Sequence, residues 1–173
     1  YGIKAIGEMG TVNTEITVGL ATVTTRESNE TLKLAAVNSL KSLSSADSGV
    51  ERALISSFKR SDDDIFKVSI LEDLGDMGSL ETTNLAASLL EQNKPMLIKE
   101  RTIYVLSHLG DEKSLSQLLD VSGDEEIAGF LMGTFEDADR AVLNSLIQRR
   151  LKTETDSNRM VVLEDLNSRF ETY

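Results

Sequence analysis

The feature that most constrains this chain is an amphipathic segment that recurs along it. The segment KLAAVNSL at 33–40 resembles KVSILEDL at 67–74, and RTIYVLSHL at 101–109 follows after a second step of the same 34 residues. A fourth copy, RMVVLEDL at 159–166, repeats the ending LEDL of 71–74. Ile3, Ile6 and Met9 open the chain with the same kind of spacing. Apolar residues three and four apart line one side of a helix. A helix with one such stripe must cover it, and repeated units do so by stacking on their neighbours.

Between these segments lie further helical patterns, at 50–58 and 84–90, each followed by a polar turn. The unit therefore reads as helix, turn, helix, turn. The predicted fold class is all-α: a right-handed solenoid of stacked antiparallel helical hairpins with about five repeats, forming one domain over 1–173. Unit boundaries are expected at 1–10, 11–45, 46–78, 79–112, 113–135 and 136–173. Met9-Gly10, Leu74-Gly75 and Leu109-Gly110 read as left-handed C-terminal caps. Asp62–Asp64 and Gly123–Glu126 read as helix starts, where carboxylates cap free amides. Thr22–Thr25 is β-branched and suits a strand by propensity, but the repeat context favours a helix. Gly129 and Gly133 weaken their helix or else permit close backbone packing.

Composition narrows the function. Aromatic residues make up 5%, with no Trp and one Pro, so aliphatic side chains must fill the core. The net charge of −11, with no compensating basic cluster, repels phosphate backbones and argues against nucleic-acid binding. With no Cys there is no disulfide, thiolate site or Cys nucleophile, and the compartment, cytoplasmic or exported, stays open. No apolar run approaches membrane-spanning length, so no membrane insertion is expected. A single His and no Cys leave no metal site and no cofactor expected. His108, in the last turn of its segment, reads as a capping or surface residue rather than a catalytic base. Neither acidic cluster has the ligand spacing of a calcium loop, and no phosphate-binding loop or Gly-x-Ser-x-Gly elbow occurs. Asn29-Glu-Thr31 matches a glycosylation triplet, a weak signal. The chain lacks an initiator Met, and Ile3, Ile6 and Met9 call for a preceding helix, so the chain reads as a segment of something longer.

These residues resemble the HEAT and HEAT-like repeat family. Its members show paired helices, an Asp-rich turn, a basic residue early in the second helix and a Leu-Gly-Asp ending. Leu74-Gly75-Asp76 and Leu109-Gly110-Asp111 match the ending, and Lys33, Lys67, Arg101 and Arg159 occupy or approach the basic position. Tetratricopeptide repeats share the period but carry aromatic and Pro markers that this chain lacks. The resemblance implies that the second helices line a concave layer used for partners.

Two readings of the basic series stand side by side. It forms a ladder that grips an acidic peptide, or each base pairs locally, as Asp63 with Lys67 or Asp156 with Arg159. On the second helices, Val37, Leu40, Leu71, Leu74, Leu106 and Leu109 are expected in the core. Asn38, Lys41, Glu72, Asp73, Tyr104 and Ser107 lie between them and are expected to face outward as the candidate binding surface. Tyr104 reads either as a binding hot spot or as an amphipathic residue at the core's edge. The expected function is a non-catalytic scaffold for a protein or peptide partner. The alternative is a HEAT-like enzyme of lyase type acting on a protein-bound bilin. The resemblance also raises two other enzyme classes, which the residues disfavour. Deoxyhypusine hydroxylase needs His-Glu pairs, and HEAT-like glycosylases need a basic, aromatic groove; this chain has neither.

Overall fold

The computed structural model describes residues 2–8, 14–43, 48–91 and 94–170. Among them every regular element is a helix. In chain order these are α1 Gly2–Glu8, α2 Thr14–Arg26, α3 Glu30–Leu43, α4 Ser48–Arg60, α5 Asp64–Met77 and α6 Leu80–Glu91. Then come α7 Met96–Leu109, α8 Glu112–Asp120, α9 Glu125–Thr134, a 3-10 turn Phe135–Asp137, α10 Arg140–Leu151 and α11 Ser157–Phe170. The threonine-rich stretch is helical, as α2, with Thr22 and Thr25 donating their hydroxyls back to carbonyls of the preceding turn. That bonding lets β-branched hydroxyl residues sit inside a helix.

Asp residues start the helices. Asp63 accepts the amides of Ile65 and Phe66, Asp111 those of Lys113 and Ser114, and Asp139 those of Ala141 and Val142. Asp124 caps α9 in the same way through Glu126. Each carboxylate satisfies amides that have no partner within the helix and lies at the positive end of its dipole. The C-terminal caps differ in part from expectation. Gly110 has the left-handed conformation, φ 63°, but α5 runs three residues past Leu74 and its left-handed cap is Gly78, φ 65°. Gly75 is buried within the helix instead. The expected cap at Met9-Gly10 lies outside the described residues.

The chain divides into two compact units, Tyr1–Thr82 and Thr83–Tyr173. In the first, α2 packs on α4, α1 and α5 pack on α3, and the pairs α2–α3 and α4–α5 join the two rows. Val37, Leu40, Leu54, Ile70, Leu71 and Leu74 are fully buried between the rows. Polar bonds tie neighbouring elements: Ser39 Oγ donates to the Ile3 carbonyl at 2.8 Å, Thr24 bonds Ser57, and the buried Glu51 accepts from Thr82 at 2.9 Å and from Ser79. In the second unit, α8 packs on α10, α7 packs on α8 and α9, and α11 packs on α10 and α8. Its core runs from Ala86 and Leu90 through Ile103, Leu106, Leu115 and Phe135 to Leu163, Leu166 and Phe170. Leu109, expected in the core, is half-buried at the end of α7.

The spacing of the helix starts departs in part from the step of 34 residues expected from the sequence. From α3 to α5 the starts move from 30 to 64, the expected step, but from α5 to α7 they move from 64 to 96. Buried positions follow the shorter step: Phe66, Ile70, Leu71 and Leu74 of α5 correspond to Ile98, Thr102, Ile103 and Leu106 of α7. The caps Gly78 and Gly110 keep the same spacing. Lys99, not Arg101, therefore stands where Lys67 stands. Gly129 and Gly133 have open space where a side chain would begin, so neither permits a close approach. Gly123 does: a Cβ there would lie 2.7 Å from Arg159 Cγ and 3.3 Å from Arg159 N.

Candidate functional site

The candidate surface residues divide between the two units. In the first, Asn38 on α3 and Glu72 on α5 are exposed, and Lys41 is exposed at the end of α3. Asp73 does not face outward: it is 5% exposed, turned toward α3, with its Oδ1 2.8 Å from Lys41 Nζ. Lys41 also reaches Asp76 at 2.8 Å. The trio thus ties α3 to α5. Burial pushes the Asp73 carboxyl above the ordinary aspartate range, and the hydrogen bond and charge of Lys41 pull it partway back. Hydrogen bonds to Asp73 and then Asp76 hold Lys41 above the usual lysine range. Beside this tie the exposed row on α5 is Ile65, Glu72 and Asp76, with Ile65 76% exposed.

In the second unit, Ser107 is 6% exposed and donates its hydroxyl to the Thr134 carbonyl, joining α7 to α9. A small hydroxyl residue between two leucine-rich positions is absorbed by the neighbouring helix rather than left for solvent. Tyr104 is 50% exposed. Its ring lies parallel to that of His108, with centroids 6.1 Å apart and planes within 5°, and the Arg101 guanidinium sits 5.2 Å from its centroid. Residues 101, 104 and 108 share one side of a helix, so three planar groups line up along α7, with exposed Leu97 one turn before them. Sequence reasoning found Tyr104 but missed its companions. The spacing of Leu97, Arg101, Tyr104 and His108 was the available signal.

The basic series serves four separate local contacts. Lys33 places its ammonium 5.8 Å from the Phe66 ring centroid. Lys67 pairs with Asp64 at 3.7 Å rather than with Asp63, whose carboxylate is spent on capping. Arg101 lies over Tyr104. Arg159 binds Glu154 through Nε and Nη2, both at 3.0 Å, while the expected partner Asp156 accepts the Arg159 backbone amide. Glu154 is held down at about 2 by that guanidinium and by the amide of Asp156. Lys99, the residue in the Lys67 position, bridges α7 to α9 through Glu126 at 3.2 Å.

Among the described residues no three His, Asp or Glu side chains converge on a possible metal position, and no helix is long and apolar enough to cross a membrane. No protein-family model matches the chain, and no curated protein matches it.

Proposed function

We propose that this chain is a non-catalytic interaction module whose second helices present a surface to a protein or peptide partner. In this reading the hairpins of both units continue one right-handed, HEAT-like solenoid of about five repeats, and α3, α5, α7 and α11 contribute to its partner-facing layer. The array of Arg101, Tyr104 and His108 on α7 carries the reading. Aromatic and guanidinium groups dominate binding hot spots. Here they are stacked on each other before any partner arrives, which lowers the ordering cost of association. Within the first unit, Asn38, Glu72 and Asp76 are exposed polar and acidic groups of the kind found at the rim of an interface rather than at a buried centre.

The test is affinity capture by the full chain with mass spectrometric identification of retained proteins, comparing the native chain with a Tyr104→Ala, Glu72→Ala double variant. Both side chains are exposed, so the fold should survive, as circular dichroism would verify. The expected result is a specific protein retained by the native chain and lost by the variant. Equal retention by both would place the binding surface elsewhere.

A further inference from the structure

In the second unit, Tyr104 has an exposed aromatic neighbour on the helix beside it. Lys99 of α7 meets Glu126 of α9 near one end of the pair, and Ser107 meets the Thr134 carbonyl near the other. Both contacts span 27 residues, so the two helices run parallel and Phe130 stands level with Ile103, next to Tyr104. Ile103 and Leu106 of α7 enter the same core as Ile127 and Leu131 of α9, which turns the opposite sides of both helices to one common surface. Leu97, Tyr104 and Phe130 stand exposed on it, Phe130 at 41%. Apolar side chains gathered in this way mark a surface that something covers.

Shape and charge specify what covers it. Leu97, Arg101, Tyr104 and His108 follow at steps of four, three and four, the spacing of a seam that packs along a second helix. Gly129 and Gly133, one turn apart on α9, have nothing within 4 Å of where a Cβ would stand. No helix among the described residues fills that opening, and it leaves a trough beside Phe130 where another backbone can lie close. From 125 to 137 there is no Lys, Arg or His, and Glu125, Glu126 and Glu136 are exposed. Glu126 is shared with Lys99, and half-buried Glu100 stands one turn before Tyr104. Arg101 lies over Tyr104, on the side of α7 away from Lys99 and Ser107. The α9 bank is therefore acidic, in a chain of net charge −11, which disfavours a second copy and favours a cationic occupant.

We infer that the groove between α7 and α9 takes a basic amphipathic helix of a protein partner. The apolar stripe of that helix covers Leu97, Tyr104 and Phe130, its backbone crosses Gly129 and Gly133, and its Lys or Arg flank meets the glutamates of α9. The assignment rests on the reading of Tyr104 as a partner-facing residue and adds the chemistry of what it meets.

Fluorescence anisotropy of a labelled Leu/Lys peptide, LKKLLKLLKKLLKL, titrated with the full chain at physiological ionic strength tests it. The comparison peptides are a shuffled sequence of the same composition without a helical stripe, and an analogue with Glu in place of Lys. The patterned peptide is expected to bind saturably, and the other two at least about tenfold more weakly. A Gly129→Gln, Gly133→Gln double variant fills the trough from the exposed side and improves helix propensity. It should weaken binding by about tenfold or more with an unchanged or raised melting temperature. No saturable binding of the patterned peptide, or equal binding by the glycine variant, would overturn the assignment. So would equal binding of the shuffled peptide, since the groove would then take an extended basic segment, or dimerisation of the native chain that the glycine variant abolishes. The reading of Tyr104 is separable in the capture experiment. A protein lost with the Tyr104→Ala, Glu72→Ala variant but retained by the glycine variant would keep Tyr104 in a partner surface and remove the helix from the groove.

Discussion

Replacing Lys41 by Met tests the tie between α3 and α5, because it keeps the aliphatic stem and removes only the ammonium. Asp73 is left 5% exposed, with its Oδ1 deprived of a partner at 2.8 Å and its Oδ2 without one among the described residues. Breaking a fully buried pair costs about 3–5 kcal/mol, whereas a surface pair contributes about 0–1. The Lys41 side chain is 45% exposed, so solvent screens the pair and the expected cost falls between, at about 1.5–2.5 kcal/mol near neutral pH. The sign of the pH dependence follows from Asp73. Its carboxyl titrates higher folded than unfolded, so its protonated form favours the fold, and that advantage fades as pH rises through the folded value. Without Lys41 that value climbs further. The penalty of Lys41→Met should therefore be largest at pH 7 and shrink toward pH 4. Adding Asp73→Asn should recover most of it at pH 7. Urea unfolding followed by circular dichroism at both pH values reads this directly. A cost below about 0.5 kcal/mol at pH 7, or one that does not change with pH, would refute the reasoning.

Further outcomes are expected from thermal melts. Gly110→Ala should cost about 1–2 kcal/mol, because its φ of 63° is a left-handed conformation that a Cβ disfavours. Gly129→Ala and Gly133→Ala should each stabilise by about 0.5–1 kcal/mol, since both sit within α9 with open space around the added carbon. Glu154 titrates at about 2, below its ordinary 4.5, so its contribution to stability is complete above 4.5 and disappears as pH falls through about 2. Glu154→Gln should remove that part of the acid sensitivity, seen as a smaller drop in melting temperature between pH 4.5 and 2. A drop equal to that of the native chain would show that the Arg159 pair does not act on the fold.

The helix class was readable because dense aliphatic spacing and Asp-led turns are local signals, set by each helix's need to cover one side and cap its amides. Register was not. Under the longer step Ile70 and Leu71 fall on Tyr104 and Val105, and under the observed one on Thr102 and Ile103. Similarity of residues does not choose between these, whereas burial does. The length difference resides in the connections, which no helical period records. Asp73 and Ser107 were misplaced for a related reason. A polar residue between two leucines of an apolar stripe is outward-facing on a lone helix. With a neighbour alongside, Lys41 or the Thr134 carbonyl turns the same position inward. Tyr104 was readable only as one of two alternatives, a binding hot spot or a residue at the core's edge, and it stands 50% exposed between the buried Ile103 and Val105.

Small-angle X-ray scattering of the full chain reads most directly whether the hairpins run on as one stack. A compact chain of 173 residues has a radius of gyration of about 16 Å. Five or six helical layers spaced about 10 Å apart reach about 50–60 Å end to end, with a radius of gyration near 20 Å. An elongated distance distribution with that larger radius is expected. A symmetric distribution at the compact value would contradict continuous stacking, and with it the proposal that α3, α5, α7 and α11 share one partner-facing layer.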